Sequence, residues 1–409
     1  MTGPPFRPNP RGLVRNRVLL LLVATGIAAA SGLAFLTHAP NRLVSGTGIS
    51  LAQVVNAADG RFTAFALVAT LVPALMLGAG VFVRPTRATQ LCVALTAAWL
   101  LAGLTWIAAE HATWLATIAP NAQSIARTSF GGAFWILAAL AWLAASDAIS
   151  RLGLTPGWRL AANAAVILPV VAMIVTGALN QLSLLREYAN RKDVFDAALL
   201  QHLQLVMTGL GVALLIGVPL GLASVRNGKL MGKLRPALFA TLSIIQTIPS
   251  IALFGLLMAP LALLAASVPV LAEWGIKGVG LTPAVIALTL YTLLPVVRST
   301  DAGLSQVPRP VVDAALGMGL SPRQIFWQVE VPLALPVWLA GLRVATVQII
   351  GMAVVAALIG AGGFGAIMFQ GLSGGALDLV LLGVVPVVAM AVLADAVLKT
   401  FALSLAHEF

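Results

Sequence analysis

The stretch DAALGMGLSPRQIFWQVEVP, residues 313–332, is a compact polar segment between two long apolar runs. Pro308, just ahead of it, favours a new helix start, and Gly319 can adopt the left-handed conformation that ends a helix. Ser321 is suited to cap a second helix, and Gln324, three residues later, completes a capping box. The pattern therefore predicts helix, glycine turn and helix, lying along one face of a membrane.

Two prolines close the segment. Pro332 and Pro336 are expected to break the chain again before the next apolar run, because proline lacks the N–H that continues a helix. From these local signals alone, an ordinary amphipathic connector is the alternative interpretation of the segment.

The composition of the whole chain defines the class of protein. Its 409 residues are 60% hydrophobic and only 9% charged, with a mean hydropathy of +1.01. Such a chain is typical of an all-α polytopic membrane protein rather than a soluble globule. The net charge of +11 comes from basic residues scattered singly at the ends of apolar runs, so nucleic-acid binding is not expected. The single cysteine, Cys92, leaves disulfides without a role within the chain.

A transmembrane helix needs about 20 apolar residues, and about ten runs approach that length. They are residues 18–35, 62–83, 89–109, 131–145, 160–182, 206–222, 236–258, 282–297, 337–359 and 379–398. Residues 259–271 are left as an external excursion or a re-entrant piece. The first run is expected to stay as a span rather than be cleaved as a signal peptide.

Basic residues predict the orientation, since Lys and Arg are retained on the cytoplasmic side. With the N-terminus inside, 17 of the 24 Lys and Arg residues fall on the cytoplasmic side. Both termini are therefore expected in the cytoplasm, and residues 313–332 also face it. Three regions follow: a disordered tail over 1–17, a five-helix membrane extension over 18–190, and a core over 191–409 whose cytoplasmic loop covers 301–336.

The same stretch resembles a known motif. Asp313-Ala314-Ala315, then Gly319, then Val329-Glu330-Val331-Pro332 resembles the "EAA" loop of the membrane subunits of binding-protein-dependent ABC importers. Three positions depart conservatively, since Asp313, Val329 and Val331 stand where Glu, Ile and Leu are usual.

The resemblance implies a type I ABC importer permease core in the C-terminal half and a role for each matching residue. The short helix would dock into a groove on a separate cytoplasmic ATPase subunit. Ala314 and Ala315 would form its packing face, Gly319 its turn and Asp313 the acidic end that meets the ATPase. Ser321 and Pro332 would bound the second helix of the loop.

Further stretches resemble one subgroup of these importers, which takes up osmoprotectants such as glycine betaine, choline and carnitine. They are residues 202–221, 243–258 and 345–365, so the resemblance covers about residues 202–398. It implies an external substrate-binding protein, a second permease copy or a sister permease, and residence in the cytoplasmic (inner) membrane of a prokaryote. No G-x-x-x-x-G-K-[ST] sequence is present, so this chain is expected to bind no cofactor, and ATP and Mg²⁺ would be used by the partner ATPase.

Polar residues inside the apolar runs suggest a translocation pathway. The sequence predicts that a pathway-facing helix carries Gln246, Thr247, Pro249 and Ser250, because exposed polar backbone is costly in a membrane unless it lines a cavity. A proline-kinked structural helix is the alternative. Tyr291 is a candidate either for an aromatic face that contacts a quaternary ammonium ion or for a packing residue. Gln348 is a candidate on a second helix, which is expected to move when the ATPase closes.

Other motifs and classes fit less well. The sequences GAGGFG, residues 360–365, and GLSGG, residues 371–375, match a dinucleotide fingerprint and a nucleophile elbow by letter only, and both are expected to form an outer glycine-rich turn. His202 is expected at the membrane interface rather than on a metal. A secondary transporter remains the alternative from another class, although the acidic residues of the apolar runs lie near span ends. A membrane-embedded enzyme is a third class, but the sequence has no paired carboxylates that support it.

Overall fold

The computed structural model describes residues 14–41, 44, 46–56, 60–118, 126–226 and 228–405. The first thirteen residues of the predicted tail lie outside this range. The chain divides into two compact units, Met1–Arg186 and Glu187–Phe409.

The N-terminal unit is a helical bundle with a small sheet. Its elements are α1 (Arg17–Gly32), β1 (Leu36–Ala39), β2 (Thr47–Ile49), α2 (Leu51–Asn56), α3 (Gly60–Gly80), α4 (Arg87–Ile118), β3 (Arg127–Phe130), α5 (Gly132–Ser150), α6 (Pro156–Val175) and α7 (Ser183–Asn190), which crosses the division. Helix α4 packs against α3, α5 and α6. It supplies Leu104, Ile107 and Ala108 to an apolar core in which Phe35 and Phe134 are also buried.

The three strands were not predicted from the sequence. They form an antiparallel sheet in the order β2-β1-β3, with Leu36 opposite both Ile49 and Phe130. Each strand has only three or four residues, which is too short for a hydrophobic alternation to stand out. The outer strand β3 also joins β1 from far along the chain, a pairing that no local pattern reveals.

The C-terminal unit is built around one central helix. Its elements are α8 (Lys192–Arg226), α9 (Gly228–Thr247), α10 (Ser250–Ser267), α11 (Pro269–Glu273), α12 (Leu281–Ser305), α13 (Arg309–Gly317), α14 (Pro322–Ile325), a π-helical turn (Phe326–Glu330), α15 (Val331–Ala353), a 3₁₀ turn (Val355–Ile359), α16 (Phe364–Ser373) and α17 (Leu377–Leu405). Helix α12 packs between α8 and α15 and also touches α9 and α10. Helix α17 packs against α15 and α16.

Membrane-length helices match eight of the ten predicted spans, and a ninth, over residues 236–258, only in part. Among the described residues, nine helices are long and apolar enough to cross a membrane. The predicted first span corresponds to α1, which has 16 residues. At 1.5 Å per residue it is about 24 Å long, short of the hydrocarbon thickness of about 30 Å. The chain then turns into β1 instead of continuing as helix.

The prediction of one continuous helix over 236–258 is wrong. Helix α9 ends at Thr247 and α10 begins at Ser250, with Pro249 as its N-cap in an extended conformation, φ −55° and ψ 136°. Proline has no N–H to donate and disfavours helical backbone in the residue before it, here Ile248. Residues 259–267, expected to lie outside a span, instead complete α10.

The predicted break at Pro332 and Pro336 is also wrong. The helix runs without interruption from Pro322 to Ala353, and Pro336 lies inside α15. Pro332 follows a π-helical turn, in which the Val331 N–H bonds to the Phe326 carbonyl five residues back. This wider turn shifts the hydrogen-bond register just ahead of the proline, so the chain continues as helix.

His202 is buried rather than interfacial. It is 0% exposed, its Nε2 lies 3.2 Å from the Ile350 carbonyl, and its ring stands 5.5 Å from that of Phe364. Beside it, the Gly363 N–H donates to the Gln201 side chain at 2.9 Å. The glycine-rich turn 360–365 therefore packs onto α8, which explains why it carries three left-handed glycines, Gly360, Gly362 and Gly363.

Candidate functional site: the loop between α12 and α15

Helix α13 is a nine-residue helix with a defined end. Its last turn is closed by Gly319, which has φ +84°. The Gly319 N–H bonds to the Leu316 carbonyl at 2.9 Å, and the Leu320 N–H bonds to the Ala315 carbonyl at 3.2 Å. This pair of bonds is a Schellman motif, and the positive φ requires glycine there. The direction in which the chain leaves α13 is therefore fixed.

Helix α14 starts with the capping box that the sequence predicts. The Ser321 hydroxyl accepts the Gln324 N–H, and the Gln324 side chain accepts the Ser321 N–H at 2.8 Å. Pro322 occupies the first turn. Helix α13 packs against α14 and the π-helical turn, and the buried side chains of the two helices are Ala315 and Ile325.

The alanine pair of the motif divides between two faces. Ala315 is buried against the protein, whereas Ala314 and Asp313 are exposed. Large apolar side chains on this loop are exposed as well: Leu316 is 51% and Met318 is 75% exposed. The loop thus presents a small apolar surface with an acidic residue on it.

Two of the predicted pathway residues, Gln246 and Tyr291, meet at the break between α9 and α10. The Gln246 side-chain amide donates to the Tyr291 carbonyl at 2.8 Å. The Tyr291 hydroxyl donates to the Ile248 carbonyl, a group that the break at Pro249 leaves without a helical donor. Tyr291 is only 4% exposed. It supports the broken backbone with its hydroxyl, so its ring does not present an open face.

The remaining pathway candidates are not joined to that group by hydrogen bonds. Thr247 bonds to the Ile244 carbonyl of its own helix at 2.7 Å. Gln348, on α15, points its amide at the Met352 sulfur of the same helix at 3.7 Å. Thr247 and Pro249 are exposed, and Ser250 is half-buried. The structure therefore unites Gln246 with Tyr291 and leaves Gln348 on a separate helix.

An ionic cluster near the site was missed by the sequence analysis. Asp301, 6% exposed, accepts the Ser224 hydroxyl at 2.6 Å and the Arg235 guanidinium at 2.5 Å. The three residues lie on α12, α8 and α9, and the cluster ties these helices together where α12 approaches the loop. Arg235 was recognised only as a basic residue of the cytoplasmic side, because its partner lies 66 residues away.

Removal of the Asp301 carboxylate is expected to destabilise the C-terminal unit. Asp301→Ala removes a charged acceptor from the buried Ser224 hydroxyl, which keeps the Gly221 carbonyl at 2.6 Å. We expect a loss of about 1.5–3 kcal/mol in the free energy of unfolding, the range for hydrogen bonds to charged groups. Arg235 contributes less, because its side chain is 44% exposed and can turn to water. The measurement is denaturant-induced unfolding in mixed micelles. The control is Asp196→Ala, whose carboxylate is 48% exposed; an equal loss in both variants would contradict the role of the cluster.

Metal-binding clusters are a separate question. Within the ranges that the structure describes, no group of three or more His, Cys, Asp or Glu side chains is arranged to hold a metal ion.

Comparison with known proteins defines the class further. The family model described as ABC transporter permease YehY, N-terminal domain, matches residues 15–185. The model described as binding-protein-dependent transport system inner membrane component matches residues 213–406. The two matches together span most of the chain and leave residues 186–212 between them.

Individual relatives match the C-terminal half. The osmoprotectant import permease protein OsmW of Salmonella typhimurium is 40% identical over 199 residues, which cover 48% of this chain and 84% of the relative. The glycine betaine/carnitine/choline transport system permease protein OpuCB of Bacillus subtilis is 34% identical over 198 residues, 48% of this chain and 82% of the relative. An inward-facing structure of the MetNI methionine ABC transporter is 21% identical, covers 51% of this chain and 97% of that chain, and has a TM-score of 0.42.

The chain therefore belongs to the family of binding-protein-dependent transport system inner membrane components. It is a multi-span permease of the ABC importer class, as the resemblance of residues 313–332 predicted.

Proposed function

We propose that this chain imports small quaternary-amine or zwitterionic solutes, such as glycine betaine or choline, as the permease subunit of an ATP-driven importer. Support for this substrate class comes from the relatives OsmW, an osmoprotectant import permease, and OpuCB, a glycine betaine/carnitine/choline transport permease. The structural observation that carries the mechanism is α13, a short helix held by a Schellman end and a capping box.

Helix α13 is proposed to bind a cytoplasmic ATPase subunit. Leu316 and Met318 are exposed on the loop although they are large and apolar, and burial of such side chains against a partner removes them from water. Asp313, also exposed, supplies a charge at the edge of the contact. ATP and Mg²⁺ would be bound by that partner, with this chain acting as transporter rather than enzyme.

The other partners follow from the same class of importer. A substrate-binding protein would deliver the solute on the external side, and a second permease copy or a sister permease would complete the pathway. We place the chain in the inner membrane of a prokaryote with both termini cytoplasmic, on the strength of the basic residues at the span ends.

The break between α9 and α10 is proposed to border the translocation pathway. Non-helical backbone at membrane depth is tolerated where it is buried in protein or lines a cavity. Interrupted helices of this kind also form substrate sites in other transporters. Gln246, Thr247 and Ser250 would contribute polar groups there, while Tyr291 holds the break open. Gln348 would lie on the helix moved by the loop.

Uptake in cells tests this function. A strain without osmoprotectant importers would express the permease with its ATPase and binding protein, and accumulation of radiolabelled glycine betaine and choline would be followed. We expect uptake that disappears when the ATPase carries an inactivating substitution in its phosphate-binding lysine. Uptake that persists with the inactive ATPase would overturn the ATP-driven mechanism in favour of secondary transport. ATP-dependent uptake of a different solute would overturn the substrate class alone.

A further inference from the structure

Arg226, the last residue of α8, contacts both ends of the π-helical turn. Its Nη2 donates to the Glu330 carboxylate at 2.6 Å. Its guanidinium carbon also lies 3.9 Å from the centre of the Phe326 ring. Phe326 is the first residue of the turn and Glu330 the last. One side chain thus spans the whole π-helical turn from a helix that is 104 residues away from Glu330 in sequence.

The contact of Arg226 with the π-helical turn is important because of the position of this turn in the helix. π-Helical turns inside α-helices occur frequently at functional sites, and they are among the places where helices kink. Here it joins α14 to α15, and α13 packs against it. A force applied at α13 would reach α12 and α15 through the backbone. The backbone does not connect the loop directly to α8, so it does not transmit this force to α8.

We propose that Arg226 is a positioning residue that holds the π-helical turn against the end of α8, so that α8 moves together with the loop. This role rests on the proposed docking of α13 to an ATPase. Arg226 is 40% exposed and Glu330 is 22% exposed, and an ion pair of this exposure stabilises little by itself. The stacking of the planar guanidinium on Phe326 adds a second contact that fixes its orientation. Together they act as a clamp on both ends of the turn.

Distance measurements test the clamp in the permease itself. Spin labels would be placed at Val225, 37% exposed at the end of α8, and at Val311, 41% exposed on α13, with Cys92 replaced by serine. We expect one narrow distance distribution that stays unchanged when the ATPase complex is trapped with vanadate. In Glu330→Gln, a second and longer component should appear, because loss of the ion pair raises the population with the turn released by up to about fivefold.

Transport measurements distinguish a role of Arg226 in coupling from a purely structural role. In proteoliposomes with ATPase and binding protein, Glu330→Gln is expected to retain bound ATPase and ATP hydrolysis but to import about threefold less glycine betaine per ATP. The control is Asp196→Asn, which breaks the 2.8 Å pair of Asp196 with Lys192 within α8. It should behave as the wild type in both experiments.

The outcomes separate this role from the docking of α13. An unchanged distance distribution in Glu330→Gln overturns the clamp whether or not an ATPase binds, since the labels report on the permease alone. Failure of the wild type to bind an ATPase would contradict the docking and leave the distance result standing. If Glu330→Gln does not fold, the charge-reversed pair Arg226→Glu with Glu330→Arg decides. Recovery above Arg226→Glu alone supports the clamp, and no recovery contradicts it.

Discussion

Gly221→Leu is expected to prevent recovery of folded permease, whereas Gly211→Leu on the same helix should be tolerated. A Cβ at Gly221 would lie 2.6 Å from the Thr300 Cβ and 3.0 Å from the Val297 carbonyl oxygen on α12. A Cβ at Gly211 would meet nothing within 4 Å. The two glycines occupy one helix at membrane depth, so they differ chiefly in the surface that they face.

The reason lies in a row of small residues on α8. Gly209, Ala213, Gly217 and Gly221 recur every four residues and therefore share one face of the helix. Small residues at this spacing let two membrane helices approach closely, and van der Waals packing is the main attraction between helices in lipid. Gly217 would also clash, because its Cβ would lie 2.8 Å from the Val296 Cγ1.

The size of the effect follows from overpacking. A leucine forced into this contact must separate α8 from the central helix, at a cost of about 3 kcal/mol or more. A fusion with a fluorescent protein, followed by size-exclusion chromatography in mild detergent, would show the loss of the monodisperse peak for Gly221→Leu. Equal recovery of both leucine variants would show that α8 and α12 do not pack through this face.

Gly319→Pro is expected to abolish binding of the ATPase while the permease still inserts and folds. Gly319 has φ +84°, and the proline ring fixes φ near −65°. Proline also lacks the N–H that bonds to the Leu316 carbonyl at 2.9 Å. The Schellman end cannot form, so α13 points in a different direction from α14.

Co-purification measures that loss. With a tag on the permease, we expect Gly319→Pro to reduce the recovered ATPase by about tenfold or more, since strain of a few kcal/mol opposes the docked conformation. Gly317→Ala is the control, because Gly317 lies within the helical part of α13 and its Cβ would meet nothing within 4 Å. A wild-type yield of ATPase with Gly319→Pro would mean that the direction of α13 is irrelevant to binding.

Local signals explain what was predicted correctly from the sequence. Ser321 and Gln324 lie three residues apart, and a capping box involves only those residues and the backbone between them. Gly319 likewise ends α13 through bonds to residues within five positions. Such features depend on a few consecutive residues, and the structure reproduces them.

Prolines show where local signals fail. Pro249 and Pro332 each follow a helical segment, yet the helix ends at Pro249 and continues through Pro332. The difference is the π-helical turn ahead of Pro332 and the Tyr291 hydroxyl beside Ile248. The hydroxyl belongs to another helix, and no single stretch of sequence reveals it.

Long-range ion pairs were likewise out of reach. Arg226 and Arg235 read as positive charges that orient the chain, and the same charges pair with Glu330 and Asp301. The partners lie 104 and 66 residues away. The burial of His202 depends in the same way on the glycine-rich turn that packs onto it, so an interfacial position was predicted instead.

The most direct test of the account is a photo-crosslink from the loop to the ATPase in the assembled importer. A photoreactive amino acid would replace Met318, and in a second protein it would replace Trp274, since both side chains are 75% exposed. The account places Met318 on the cytoplasmic side and Trp274 on the external side. It predicts a crosslinked product of permease and ATPase from position 318 and none from position 274. An importer that transports solute but gives no crosslink from position 318, or gives one from 274, would contradict it.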